Sequence, residues 1–100
     1  MEWRASHILL KDRKLAEDIL KRLRKGGNFS ALAKEYSTCP SRAKGGDLGW
    51  FGPGKMVKEF EQAVTNAPNR LIPKLIRTQF GFHIIISFDL QIVRGLFDFQ

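Results

Sequence analysis

Three side chains in this 100-residue sequence could exchange protons or act as nucleophiles near neutral pH: Cys39, His7 and His83, the one cysteine and the two histidines. A zinc site needs three or four ligands, usually supplied in local pairs such as C-x2-C or H-x3-H. No two of these residues are neighbours in sequence and the acids around them add no motif, so no metal is expected. Cys plus His can also serve as nucleophile and base, but no nucleophile motif surrounds Cys39. The plain alternative is two histidines hydrogen-bonded inside a sheet beside an inert thiol.

A second constellation follows Cys39. The stretch Ser37 to Phe60, STCPSRAKGGDLGWFGPGKMVKEF, holds Gly45, Gly46, Gly49, Gly52 and Gly54 and ends in Met56 and Phe60. Glycine-dense backbone can approach a ligand closely and take positive φ angles. Met and Phe four residues apart share one face of a helix. The stretch therefore reads as an apolar recess under a backbone rim, with a thiol at its edge.

The elements that must position these groups follow from periodicity. Trp3 to Leu10 reads as a strand that is largely apolar on both faces, as suits an interior position, with His7 at its middle. Asp12 is an N-cap for a helix over Arg13 to Lys25, whose stripe is Leu15, Ala16, Ile19, Leu20 and Leu23. Glu17–Lys21 and Asp18–Arg22 have the favourable i, i+4 order. Gly26-Gly27 ends that helix. Asn28 caps a shorter one carrying Phe29, Leu32, Ala33 and Tyr36, and Pro40 leaves Cys39 on a loop. Residues 42–46 read as basic and flexible. Asp47 to Phe51 suits a short strand and Met56 to Val64 a third helix. Leu71 to Arg77 reads as a strand with Pro73 at an edge. Phe80-Gly81 turns into a central strand, Phe82 to Phe88, with His83 inside it. If the first and last strands are neighbours, the two imidazoles meet on one sheet face, below a polar group such as Cys39 or Thr78. Helices packed around an antiparallel sheet give an α+β class.

Composition narrows the function. The length suits one domain, and 43% hydrophobic residues allow a small core. No apolar run is long enough to span a membrane, the N-terminus lacks the features of a signal peptide, and a single cysteine cannot form an internal disulfide. A cytoplasmic monomer is expected. Residues 1–44 hold eleven Lys or Arg against five acids (+6), and the remainder six against five (+1), which makes up the +7 total. A basic half attracts nucleic acid, but no RNA-binding or helix-turn-helix signature accompanies it, so a solvated basic helix is the preferred reading.

Four pieces together resemble the parvulin-type peptidyl-prolyl cis/trans isomerases: SHILL (6–10), FSALAKEYS (29–37), GGDLGWFGPGKMVKEFEQA (45–63) and TQFGFHII (78–85). They stand in family order and cover roughly residues 3–88. The resemblance implies a four-stranded antiparallel sheet surrounded by helices, the FKBP-like superfold, over residues 1–88, with 89–100 as a tail of unassigned structure. It implies that Leu48, Met56 and Phe60 grip a substrate proline ring, bordered by Phe80. It also implies that His7, Cys39, Thr78 and His83 form a polar network under the isomerising amide. Catalysis would be non-covalent and without cofactor, on proline-containing polypeptides. The short basic segment Lys11 to Lys14 departs from the long loop of phosphate-reading parvulins, so phosphate dependence is not expected. Pro73, five residues before Thr78, departs from the family's spacing. A proline-binding or chaperone module with little turnover is the alternative.

Overall fold

In a computed structural model of the chain, the structure describes residues 2–66 and 70–88. Strand β1 (Trp3–Leu10) lies inside a four-stranded antiparallel sheet. It pairs with β2 (Asp47–Phe51) on one side and with β4 (Gly81–Phe88) on the other, and β3 (Ile76–Thr78) completes the order β2-β1-β4-β3. The β1–β4 register runs unbroken from Arg4↔Phe88 to Leu10↔Phe82. These two central strands are the ones whose residues are apolar on both faces, as burial on both sides demands.

The sheet separates two cores. Helices α1 (Arg13–Arg24) and α2 (Phe29–Tyr36) cover one face, where Ile8 and Ile84 pack with Ala16, Ile19, Leu23 and Ala33. Helix α3 (Lys58–Asn66) covers the other, packing Phe60 and Val64 on Ala5, Phe51 and Ile85. Both expected N-caps form: the Asp12 side chain accepts from the Lys14 N–H at 3.0 Å and the Asn28 side chain from the Ala31 N–H at 2.8 Å. Each such cap is worth about 1 kcal/mol.

The structure revises several local expectations. Helix α3 begins at Lys58, so Met56 and Val57 lie in its lead-in and Met56 does not share a helical face with Phe60. Residues 42–44, within the stretch read as flexible, belong to a short 3-10 helix, Pro40–Lys44, closed by Gly45 at φ 67°. Glu17 pairs with Arg13 at 3.0 Å instead of Lys21, while Asp18 pairs with Arg22 at 2.9 Å as expected. The strand expected over Leu71 to Arg77 is interrupted. Leu71 bridges Ile86 and Ile76 pairs with His83, five steps on one side against three on the other, so the chain bulges out around Pro73. Proline has no N–H for the ladder, which is why the bulge falls there. The tail 89–100 lies outside the described residues.

Candidate active site

His7 on β1 and His83 on β4 project from the face that α3 covers. Leu9 lies opposite His83 and His7 opposite Ile85, which sets the two imidazoles on a diagonal. Their Nδ1 atoms are 2.9 Å apart and their rings stack at 5.0 Å between centroids. Both are nearly sealed from solvent, at 5% and 4% exposure. Thr78 ends β3 and contacts His83 from behind, with its Oγ1 2.7 Å from Nε2; the Phe80 N–H donates to that same oxygen at 3.1 Å. The β3–β4 hairpin that turns at Gln79-Phe80 thus presents one side chain inward to His83 and the other, Phe80, outward at 49% exposure.

Proton placement along this chain is constrained. Two facing Nδ1 atoms hydrogen-bond only if one ring donates and the other accepts. In one arrangement the Thr78 hydroxyl donates to His83, His83 Nδ1–H donates to His7, and His7 keeps an unspent Nε2–H. In the reverse arrangement His7 Nδ1–H donates to His83, whose Nε2–H donates to Thr78. His7 Nε2 is buried and has no partner among the described residues. Burial pushes the His7 pKa down to about 4, helped by the charge His83 would carry, and burial pushes His83 down to about 4 as well. Both rings are therefore neutral at physiological pH. Phe60 contributes to that burial, meeting His7 edge-on at 5.7 Å and His83 at 5.6 Å.

Above the pair lies a cavity of about 460 Å³. Its floor is His7, His83 and Leu9; Met56, Val57 and Phe60 form one wall, Thr38, Cys39 and Pro40 another, with Leu48, Lys55 and Phe80 completing it. Seven of the eight residues expected at the site thus line one cavity, and the eighth, Thr78, supports its floor. The network expected to include Cys39 does not: among the described residues its thiol makes no hydrogen bond, and only its backbone is engaged, the N–H donating to Ser37 Oγ at 3.3 Å and the C=O accepting the Arg42 N–H at 2.9 Å. The loop hangs instead from the Leu9 backbone of β1, through the Ser37 hydroxyl and the Thr38 N–H. Past Ser6, where pairing with β2 ends, Leu9 N–H donates to Ser37 Oγ at 3.1 Å and Leu9 C=O accepts the Thr38 N–H at 2.8 Å. Leu9, Thr38, Pro40, Lys55 and Val57 were not foreseen as lining residues. Leu9 carried a usable signal, being two residues from His7 on the same strand face.

Two further contacts fix the rim. His7 N–H donates to Gly46 C=O at 2.9 Å, and a Cβ on Gly46 would come within 2.5 Å of the His7 carbonyl oxygen. Asp47, held by Arg4 at 2.7 Å, accepts the Gly49 N–H at 2.8 Å and so constrains the turn carrying Leu48. The Arg4 guanidinium holds the Asp47 carboxyl below the usual carboxylate range. Of the two aromatics in β2, Phe51 is core and Trp50 is 40% exposed beside Arg4. No group of three or more His, Cys, Asp or Glu among the described residues is placed to hold a metal ion.

A buried neutral histidine pair beneath an apolar cavity, on this α+β sheet, defines a class. Residues 2–91 match the family model of the PPIC-type PPIase domain. The chain belongs to that family, the parvulin-type peptidyl-prolyl cis/trans isomerases. It is 55% identical over 83 residues to the foldase protein PrsA of Geobacillus kaustophilus, a match covering 82% of this chain and 30% of that relative. The crystal structure of PrsA from Bacillus subtilis superposes with a TM-score of 0.83 at 40% identity, over 97% of this chain and 39% of that one. NmPin, the parvulin of Nitrosopumilus maritimus, superposes with a TM-score of 0.73 at 37% identity, over 88% of this chain and 96% of that one. The chain thus spans about 30% of the length of the PrsA relative it matches.

Proposed function

We propose that this chain accelerates cis/trans rotation about X–Pro bonds in polypeptides, with the proline ring held against Leu48, Met56 and Phe60 and the amide above His7 and His83. The observation that carries this is the neutral, buried Nδ1–Nδ1 pair at the floor of an apolar cavity. Rotation about a peptide bond loses resonance and faces a barrier of ~18–20 kcal/mol. For X–Pro bonds uncatalysed exchange takes tens to hundreds of seconds. No covalent bond has to form or break, so the task is to bind the twisted amide better than either planar form. A thousandfold acceleration corresponds to ~4 kcal/mol.

Three features supply that preference. The apolar walls immobilise the ring while the acyl side rotates. The water-poor cavity favours the twisted amide, which is less dipolar than the planar one. The His7 Nε2–H, unspent when Thr78 donates to His83 and buried in this structure, becomes a donor for the prolyl nitrogen as its lone pair localises once the ring turns toward the cavity. Cys39 forms part of the wall and stays thiol throughout. The decisive experiment is NMR exchange spectroscopy on an Ala-Leu-Pro-Phe peptide. Faster cis/trans exchange with added protein is expected. Shifted peptide resonances with no faster exchange would overturn catalysis and leave a proline-binding module.

The site is complete within one chain, which supports a monomer, and sedimentation would check it. Arg13 and Arg22 are engaged by acids on α1 itself, so weak, salt-sensitive nucleic-acid retention is expected from filter binding. The unpaired Cys39 supports a reducing, cytoplasmic setting; recovery of the protein from the membrane fraction or the medium would refute that.

A further inference from the structure

Lys55 is the one formally charged side chain on the wall of the cavity. It is exposed, and among the described residues no acid pairs with it. Its backbone is fixed: Lys55 N–H donates to Gly52 C=O at 3.4 Å, closing the Gly52–Lys55 turn, with Gly54 at φ 82°. No carboxylate lines the cavity beside it. Glu61 reaches back to this turn but gives its Oε1 to the Gly54 N–H at 2.9 Å. Asp47 is bound to Arg4, and Glu59 lines a different groove, on the far side of α3. The two histidines at the floor carry no charge near pH 7. An apolar cavity lined by one cation and no acid discriminates among ligands by charge, because its walls provide no competing counter-ion.

We infer that Lys55 is a specificity-determining residue that selects X–Pro sequences carrying an aspartate or glutamate immediately before or after the proline. This rests on the isomerase reading above. Met56, the residue after Lys55, grips the proline ring, so the ammonium group sits within one side-chain length of the flanking residues. A lysine presents a compact point charge without the fork geometry of arginine, which suits a single carboxylate at variable distance.

The test is a set of peptides with Glu, Leu or Lys placed on either side of the proline, assayed by NMR exchange with wild type, Lys55→Gln and Lys55→Glu. The ratio of kcat/KM for Glu over Lys peptides is read within each variant, so changes in overall activity cancel. Wild type should favour Glu several-fold at one flanking position. The ratio should fall to about one in Lys55→Gln, invert in Lys55→Glu, and shrink in 0.5 M salt. Lys21→Glu, which changes net charge equally on the distant face of α1, should keep the wild-type ratio. Equal ratios in wild type and Lys55→Glu at both positions, or an identical effect of Lys21→Glu, would overturn the inference. Failure of the parent reading looks different: no peptide of any charge would be accelerated.

Discussion

Phe60 sets the electrical character of the site without a polar atom of its own. Its ring edges meet both imidazoles and Phe51 at once, and it is itself almost fully buried. Because desolvation is the leading cause of both depressed histidine pKa values, Phe60→Ala should raise them toward 6.5, as read by NMR titration. It should also cost about 3–5 kcal/mol of stability. Met56 and Cys39 line the same cavity but play unequal parts. Met56→Ala removes a wall against the proline ring and should lower kcat/KM about tenfold, the equivalent of ~1.4 kcal/mol. Cys39→Ser keeps size and adds a hydroxyl where no hydrogen bond is spent, so its effect should stay within about threefold. Assaying both on one peptide checks the order; a larger loss for Cys39→Ser would restore a chemical role to the thiol.

At the level of elements, the glycine turn that leads into β2 governs where His7 sits. Gly46 accepts the His7 N–H, and its own φ of 91° together with the near contact to the His7 carbonyl excludes a side chain. Gly46→Ala should therefore destabilise the fold by about 1–3 kcal/mol and lower activity beyond what the lost stability explains, as measured by urea unfolding alongside kcat/KM. Much of this scaffold could be read from sequence. β1 and β4 declared themselves by carrying apolar residues on both faces, and α1 by its stripe and its Asp12 cap. β3 was overextended because Leu71, Leu75 and Ile76 look like strand residues, while Pro73 acts by withholding a ladder bond and throwing out a bulge. The 3-10 helix was missed because Ser41, Arg42 and Lys44 have no apolar period; its signals were Pro40 at the start and Gly45 at the end. The isolation of the Cys39 thiol was not legible, since it depends on hydrogen-bond geometry that residue type does not encode.

For the whole molecule, the histidine pair links catalysis to acid stability. Each folded pKa of about 4 lies below the ordinary 6.5. Between those values the unfolded chain binds protons that the folded chain refuses. Stability is therefore full above about pH 6.5 and falls as pH drops toward 4, by on the order of 3 kcal/mol for the first proton forced onto the pair. Urea midpoints at pH 7.5 and 4.5 should differ in that direction, and kcat/KM should be flat above pH 6 and decline toward 4. In a His7→Asn, His83→Asn double variant the difference in midpoints should shrink. An unchanged pH dependence would show that other groups set it.

The unbroken register of β1 on β4 has one more consequence. Arg4 faces Phe88 across adjacent central strands, which places the points where the chain enters and leaves the sheet about 5 Å apart. A folded unit with touching ends is modular: a host protein has to open a surface loop by only one strand spacing to accept it, and the loop-closure entropy is small. Residues 4–88 spliced into an exposed loop of an unrelated host should fold there and isomerise peptides at near the free rate, while the host's melting temperature drops by only a few degrees.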